Sequence, residues 1–265
     1  MKIGFIGAGN MASAILRGAV GSRAFKPDEL YVYDIDSAKC SALSQELGIN
    51  AAKSSADAVT GADAVLLAVK PVALAGALSE ISGAVKASKP LIISIAAGQS
   101  HETLTRLLGF EAAAVRVMPN LNAAVGEAMS GYCCNSLVDN EQKKLAVKLL
   151  ESFGEATEIG EGLFPAFDAV SGAGPAFCFM FVDALSRAAV KNGIPRDKAM
   201  KIAVQTVLGS VKYLAQSPEH PWELVDRVCS PGGITIEGVA ALQEHGFEAA
   251  ITEAVDVTAE KDKRM

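Results

Sequence analysis

Short apolar runs and helix-length stretches alternate through the first part of the chain. Lys2–Ile6 and Leu30–Tyr33 read as strands, each followed by a helical segment, Met11–Val20 and Ser37–Leu47. Ala64–Ala68 and Leu91–Ile95 are unbroken apolar runs bounded by turns, the pattern of strands buried on both faces. Ala113–Arg116 and Ser130–Cys134 complete the set of predicted strands, and Asn140–Phe153 is a further helix. This alternation predicts an α/β domain over residues 1–158, a doubly wound parallel sheet with helices on both faces.

Beyond that point the pattern changes. From Phe164 onward no strand is legible, only helices with clear punctuation. Pro175 opens the first and Gly193 closes it; Pro195-Arg196-Asp197 starts the next, which runs towards Gln216. Pro221 begins a short helix ending near Cys229, Ser230-Pro231-Gly232-Gly233 breaks it, and helices from Ile236 and Glu248 finish the chain. Residues 159–265 therefore form an all-α domain. Apolar side chains such as Phe177, Phe179, Phe181, Val182 and Leu185 give it more apolar surface than a few helices bury alone, which predicts homodimerisation.

Composition narrows the function classes. The 24 Lys plus Arg against 30 Asp plus Glu give a formal charge of −6, and the longest basic run is the terminal Lys261–Arg264 stretch, which argues against nucleic acid. Continuous apolar runs such as Ala64–Val69 fall well short of the roughly 18 residues of a membrane span, so no membrane partner is expected. Gly4, Gly7 and Gly9 interrupt what a signal peptide keeps apolar. Five cysteines without a C-x-x-C pair read as reduced thiols, hence a cytoplasmic setting, and three scattered histidines predict no metal site.

The first strand runs into Gly7-Ala8-Gly9-Asn10-Met11-Ala12, a G-x-G-x-x-A turn that opens the first helix. Gly7 permits the tight turn, Gly9 lets backbone approach a pyrophosphate, and Ala12 keeps helix and strand close. Free N–H groups at the helix N-terminus complete an anion site. Asp34 ends the second strand roughly 20 residues on, where a carboxylate accepts the ribose hydroxyls of NAD and repels a 2′-phosphate. No arginine follows it and only Lys39 supplies a cation, so the residues lean towards NAD, although a rotated Asp34 beside a lysine still accommodates NADP.

Three further strand ends share this edge. Ala68-Val69-Lys70-Pro71 is placed against the nicotinamide half, with Lys70 alternatively a solvated loop charge. Ala96 and Ala97 leave room for a ring, and Asn120 either positions an amide or serves as a turn residue. In the helical part, Ser171-Gly172-Ala173-Gly174-Pro175-Ala176 and Ser230-Pro231-Gly232-Gly233-Ile234-Thr235 each precede a helix and read either as plain interhelical linkers or as loops able to receive a carboxylate. Neither brings a histidine, cysteine or carboxylate pair, so strong side-chain acid–base chemistry is not central.

Taken together, Ile3–Gly7, Val69-Lys70-Pro71, Ser171–Pro175 and above all Ser230–Thr235 make the chain resemble the pyrroline-5-carboxylate reductases over nearly its whole length. The resemblance implies a Rossmann-type N-terminal domain, a C-terminal all-α dimerisation domain and a larger ring of dimers. It implies reduction of 1-pyrroline-5-carboxylate to L-proline with NADP(H) or NAD(H), with NADPH frequently preferred, against the lean from Asp34. It also implies that Ser230, Gly232, Gly233 and Ile234 hold the substrate carboxylate, that Thr235 meets the ring nitrogen as the catalytic group, and that Glu161 stands near substrate. Ile234 departs from the Thr or Ala common in the family, and Ser55 replaces an asparagine found in some relatives. A β-hydroxyacid dehydrogenase, the nearest rival, needs a lysine on the first helix of the α domain; Pro175–Ala189 has none, and Lys191 lies at its far end.

Overall fold

A computed structural model describes residues 1–264. The sheet half runs β1 (Ile3–Ile6), α1 (Asn10–Gly21), β2 (Leu30–Tyr33), α2 (Ser37–Leu47), β3 (Asn50–Ala51), α3 (Ser55–Val59), β4 (Ala64–Leu67), α4 (Pro71–Ser88) and β5 (Leu91–Ser94). It continues through α5 (His101–Leu108), β6 (Ala114–Met118), β7 (Ala128–Cys134), α6 (Asn140–Glu151) and β8 (Gly154–Glu158). The strands form one sheet in the order β3-β2-β1-β4-β5-β6-β7-β8. The reversal of winding falls between β1 and β4, which pair along their full length, so the crevice opens beyond their C-terminal ends, as in doubly wound sheets generally.

The predicted sheet is corrected in two respects. It is not wholly parallel: β7 runs antiparallel to β6, because only a short 3₁₀ turn at Leu121–Val125 joins them and a parallel return needs a dozen residues or more. Two strands were also missed. β3 is two residues long, and β8 (GEATE) carries no apolar run because it is a largely solvated edge, paired parallel with β7.

Alternate residues of the central strands feed two cores, one on each face of the sheet. Ile3, Phe5, Leu66, Leu91 and Ile93 pack with Ile15 and Leu16 of α1 and with Phe153. Ile6, Val65, Leu67 and Ile92 pack with Leu74, Leu78 and Ile81 of α4. A continuous apolar strand is thus a period-two pattern with both phases apolar. Close approach selects glycine at Gly18, where an added Cβ would lie 2.5 Å from Phe153 Cβ.

Helical structure follows: α7 (Phe164–Phe167), a π turn over Asp168–Gly172, α8 (Gly174–Lys191), α9 (Arg196–Gln216), α10 (Pro221–Val228), α11 (Ile234–Glu244) and α12 (Phe247–Asp262). The chain divides into two compact units, Ala173–Thr258 forming the second and everything up to Gly172, with the end of the chain from Ala259, the first. The expected division at 158/159 differs from this one. Residues 161–172 stay with the sheet because Phe164 is buried and Ser171 Oγ donates to Met129 O at 3.0 Å.

Within the second unit, α8 and α9 bury only Pro175, Ser186, Ala199 and Ala203, and α10 to α12 bury no residue. Phe179 is 60% and Met180 72% exposed in the single chain. Apolar exposure on that scale marks an interaction surface. The expectation that no segment reaches membrane-span length needs correction, since the helical stretch Glu161–Lys191 is long and apolar enough by length and composition. Reading interrupted runs alone hid it.

Candidate functional site

The glycine turn is built as its spacing requires. Gly7 has φ +107°, and a Cβ there would fall 2.5 Å from Ala68 O. Its N–H donates to Tyr33 O at 2.7 Å, so the turn stays pressed against the sheet. Gly9 caps α1 without a side-chain hydrogen bond, and a Cβ on it would meet nothing within 4 Å. The helix therefore presents its first N–H groups to an unobstructed opening, the arrangement that receives a diphosphate.

The crevice beside it has a volume of about 610 Å³ and is lined by Gly7, Gly9, Asp34, Ala68, Val69 and Lys70, all expected cofactor residues. That size suits a nucleotide half. Asn10 and Met11 form the first turn of α1, and Pro71 is the first residue of α4 behind its N-cap, Lys70. Ala8 differs from expectation: it is buried, and its N–H is given to Asp34 Oδ2 at 2.7 Å rather than to a ligand. Asp34 Oδ1 accepts the Asp36 N–H at 2.9 Å.

Besides Ala8, Asn10, Met11 and Pro71, three more expected cofactor residues lie outside this lining, Ala96, Ala97 and Asn120. Ala96 is buried and Ala97 exposed in the connection after β5. Asn120 is buried with its amide committed: Nδ2 donates to Ser171 O at 3.1 Å and Ser171 Oγ at 3.2 Å, and Oδ1 accepts from Asn122 N at 3.2 Å. Its side chain braces the π turn instead of reaching a ring. Sequence reasoning missed the α4 contribution, Val72, Ala73, Gly76, Ala77 and Glu80, whose helical spacing faces the crevice. Ser55 is buried and donates to Glu80 at 3.0 Å.

Glu161 stands in a separate depression with His101, Cys133 and Cys134. Its Oε1 accepts the backbone N–H of His101 at 2.9 Å, and Arg116 Nη1 lies 3.4 Å away. His101 Nδ1 is 3.5 Å from Oε2. The Arg116 guanidinium in turn covers the Phe164 ring at 4.1 Å. Ligand atoms of His101, Cys133 and Glu161 come within 4.8 Å of one another. The donor set suits a cation poorly, because Arg116 already neutralises the carboxylate and burial, with Glu161 nearby, pushes the Cys133 thiol up to about 11.

Ser171–Ala176 is corrected from a loop to the end of the π turn and the start of α8. Ser230–Thr235 is a true turn: Gly233 N donates to Ser230 O at 2.9 Å, Gly232 has φ +68°, and a Cβ on Gly233 would lie 2.4 Å from Ser230 Oγ. α11 starts at Ile234, two residues earlier than expected, with Gly233 as an N-cap that has no side chain to bond the first N–H groups. Ile234 is 93% exposed and Thr235 half-buried. Thr252 and Thr258 bond carbonyls one turn back at 2.9 and 2.7 Å. Thr235, in the first turn, has no helical carbonyl behind it.

Comparison with known proteins covers both parts. Residues 161–265 match the pyrroline-5-carboxylate reductase dimerisation model, and residues 2–98 match the model of the NADP oxidoreductase, coenzyme F420-dependent. The pyrroline-5-carboxylate reductase of Escherichia coli is 42% identical over 264 residues, covering 100% of this chain and 98% of the relative. The solved pyrroline-5-carboxylate reductase of Coxiella burnetii superposes with a TM-score of 0.96 at 28% identity, over 99% of this chain and 97% of that one. The Plasmodium falciparum pyrroline carboxylate reductase, solved with NADP bound, gives 0.86 at 32% identity, over 100% and 97%. With 42% identity over 100% of its length and 98% of the relative's, the chain belongs to the pyrroline-5-carboxylate reductase family.

Proposed function

We infer that the chain reduces 1-pyrroline-5-carboxylate to L-proline with NAD(P)H. The observation that carries this reading is end-to-end identity with a pyrroline-5-carboxylate reductase in a chain that keeps an open glycine cradle on α1. The cradle fits the dinucleotide: with Gly9 as N-cap, the first turn of α1 presents its N–H groups without a side-chain cap, and the crevice continues past Asp34 on one side and Val69-Lys70 on the other. Bound there, the reduced nicotinamide supplies the hydride that ends on the C=N carbon.

The protein's own part is to orient and to bind. The first-turn N–H groups of α11, with Gly232 and Gly233 giving the turn its shape, hold the substrate carboxylate without a charged side chain. The free Thr235 hydroxyl meets the ring nitrogen, and Ser230 and Ile234 border the turn. A protonated imine is already electrophilic, so positioning is most of what catalysis requires. Glu161, spent on His101 and Arg116, serves as a positioning residue for this end of the sheet unit.

A homodimer closed over the apolar faces of α8 and α9, and a ring of such dimers, completes the reading; the exposed Phe179 and Met180 support the first step. Five free cysteines support a reducing, cytoplasmic setting. Loss of NAD(P)H absorbance on adding pyrroline-5-carboxylate, with proline formed in equal amount, tests the reading; no loss with either cofactor overturns it.

A further inference from the structure

Resting on the reading that the crevice holds a nicotinamide dinucleotide, we propose that Asp34 makes this chain selective for NADH over NADPH. The carboxylate is pinned on both oxygens: Oδ2 accepts the Ala8 N–H at 2.7 Å and Oδ1 accepts the Asp36 N–H at 2.9 Å. The first bond ties it to the glycine turn itself, the second to the start of α2, whose N-cap is Asp36. Rotating Asp34 away to admit a 2′-phosphate breaks both bonds and leaves the buried Ala8 N–H without its partner. Each carboxylate oxygen retains a second lone pair, so accepting ribose hydroxyls requires no rearrangement.

The surrounding charge acts in the same direction. The crevice is lined by three carboxylates, Asp34, Asp36 and Glu80, and two lysines, Lys39 and Lys70, with no arginine. Of the two lysines, Lys39 is already 3.7 Å from Asp36 Oδ2. Lys70 is the N-cap of α4, on the far side of the turn from β2. A 2′-phosphate would enter beside a fixed negative charge and near a lysine that is already paired, which is a repulsive element of the kind that creates selectivity. The neutral ribose of NADH meets the same carboxylate as a hydrogen-bond acceptor.

The test is calorimetric binding to the intact wild-type protein at ~0.15 M salt, using NADH and NADPH, then adenosine 5′-monophosphate and adenosine 2′,5′-bisphosphate. The expected result is NADH bound about tenfold or more tightly than NADPH, with the monophosphate favoured over the bisphosphate in the same sense. Asp34→Ser should lower the NADH-to-NADPH affinity ratio by about tenfold, mainly by weakening NADH and admitting the phosphate. Wild-type protein that binds NADPH as tightly as NADH, or tighter, overturns the proposal even where the variant does not fold. Failure to bind either dinucleotide would instead sink the cofactor reading itself.

Discussion

Arg116 Nη1 lies 3.4 Å from Glu161 Oε1, and the same carboxylate oxygen takes the backbone N–H of His101 at 2.9 Å. One acidic side chain thus joins β6 to the N-terminus of α5. Arg116 is mostly buried over Phe164, so removing its partner leaves a charge with little water. Glu161→Ala should cost about 1.5–2 kcal/mol, the lower part of the range for hydrogen bonds to charged groups because Glu161 is itself partly exposed. Thermal unfolding measures the loss, while KM for cofactor stays near wild type; an unchanged melting temperature would contradict the assignment.

Gly7→Ala attacks the cradle in two ways, through the positive φ and through the 2.5 Å approach to Ala68 O. The backbone must move, and we expect dinucleotide affinity to fall by at least about tenfold, together with roughly 2 kcal/mol of stability. Titration calorimetry and chemical denaturation report the two effects separately. Wild-type affinity in this variant would show that the turn does not touch the ligand.

Cys133 gives a pH dependence whose sign is fixed. The residue is 7% exposed, and burial first, then Glu161, pushes its thiol pKa from 9.0 up to about 11. Below about 9 the thiol is protonated in both states, and its contribution to stability is fully present. Between about 9 and 11 the unfolded chain loses the proton and the folded chain keeps it, so stability declines as pH rises. Denaturation midpoints should fall across that window and fall less in Cys133→Ala. Equal slopes in both proteins would refute the claim.

Met180, 72% exposed on α8, belongs to the surface assigned to the second subunit. Met180→Glu places a charge on that face and should shift the protein towards a 27.4 kDa monomer in sedimentation equilibrium, whereas the wild type sediments as a larger species. A wild-type protein that is monomeric at micromolar concentration defeats this reading.

Thr235→Ala removes the free hydroxyl at the start of α11. The expected result is a drop in kcat of about tenfold or more with cofactor affinity unchanged, as the role proposed for this group, on the substrate alone, requires. Unchanged turnover removes Thr235 from the mechanism.

Much of this was legible beforehand because backbone geometry wrote it into residue types. Gly7 announces a turn that no side chain fits, Gly9 keeps the mouth of α1 open, and Ser230-Pro231-Gly232-Gly233 marks the break before α11. β8 was hidden because an edge strand reading Gly-Glu-Ala-Thr-Glu buries almost no apolar surface. Asn120 and Ala8 were placed on the right sheet edge but given the wrong partners. Whether an amide faces a ligand or a neighbouring turn depends on contacts such as Asn120 to Ser171, 51 residues away in sequence. Glu161 shows the same limit, its partners Arg116 and His101 arriving from other elements.

The central claim is tested most directly by following the hydride. Reduced cofactor carrying deuterium at both C4 positions of the nicotinamide, incubated with the protein and pyrroline-5-carboxylate, should yield proline with one deuterium on the former C=N carbon, read by mass spectrometry. Proline without label, or labelled cofactor that remains unoxidised, would contradict it.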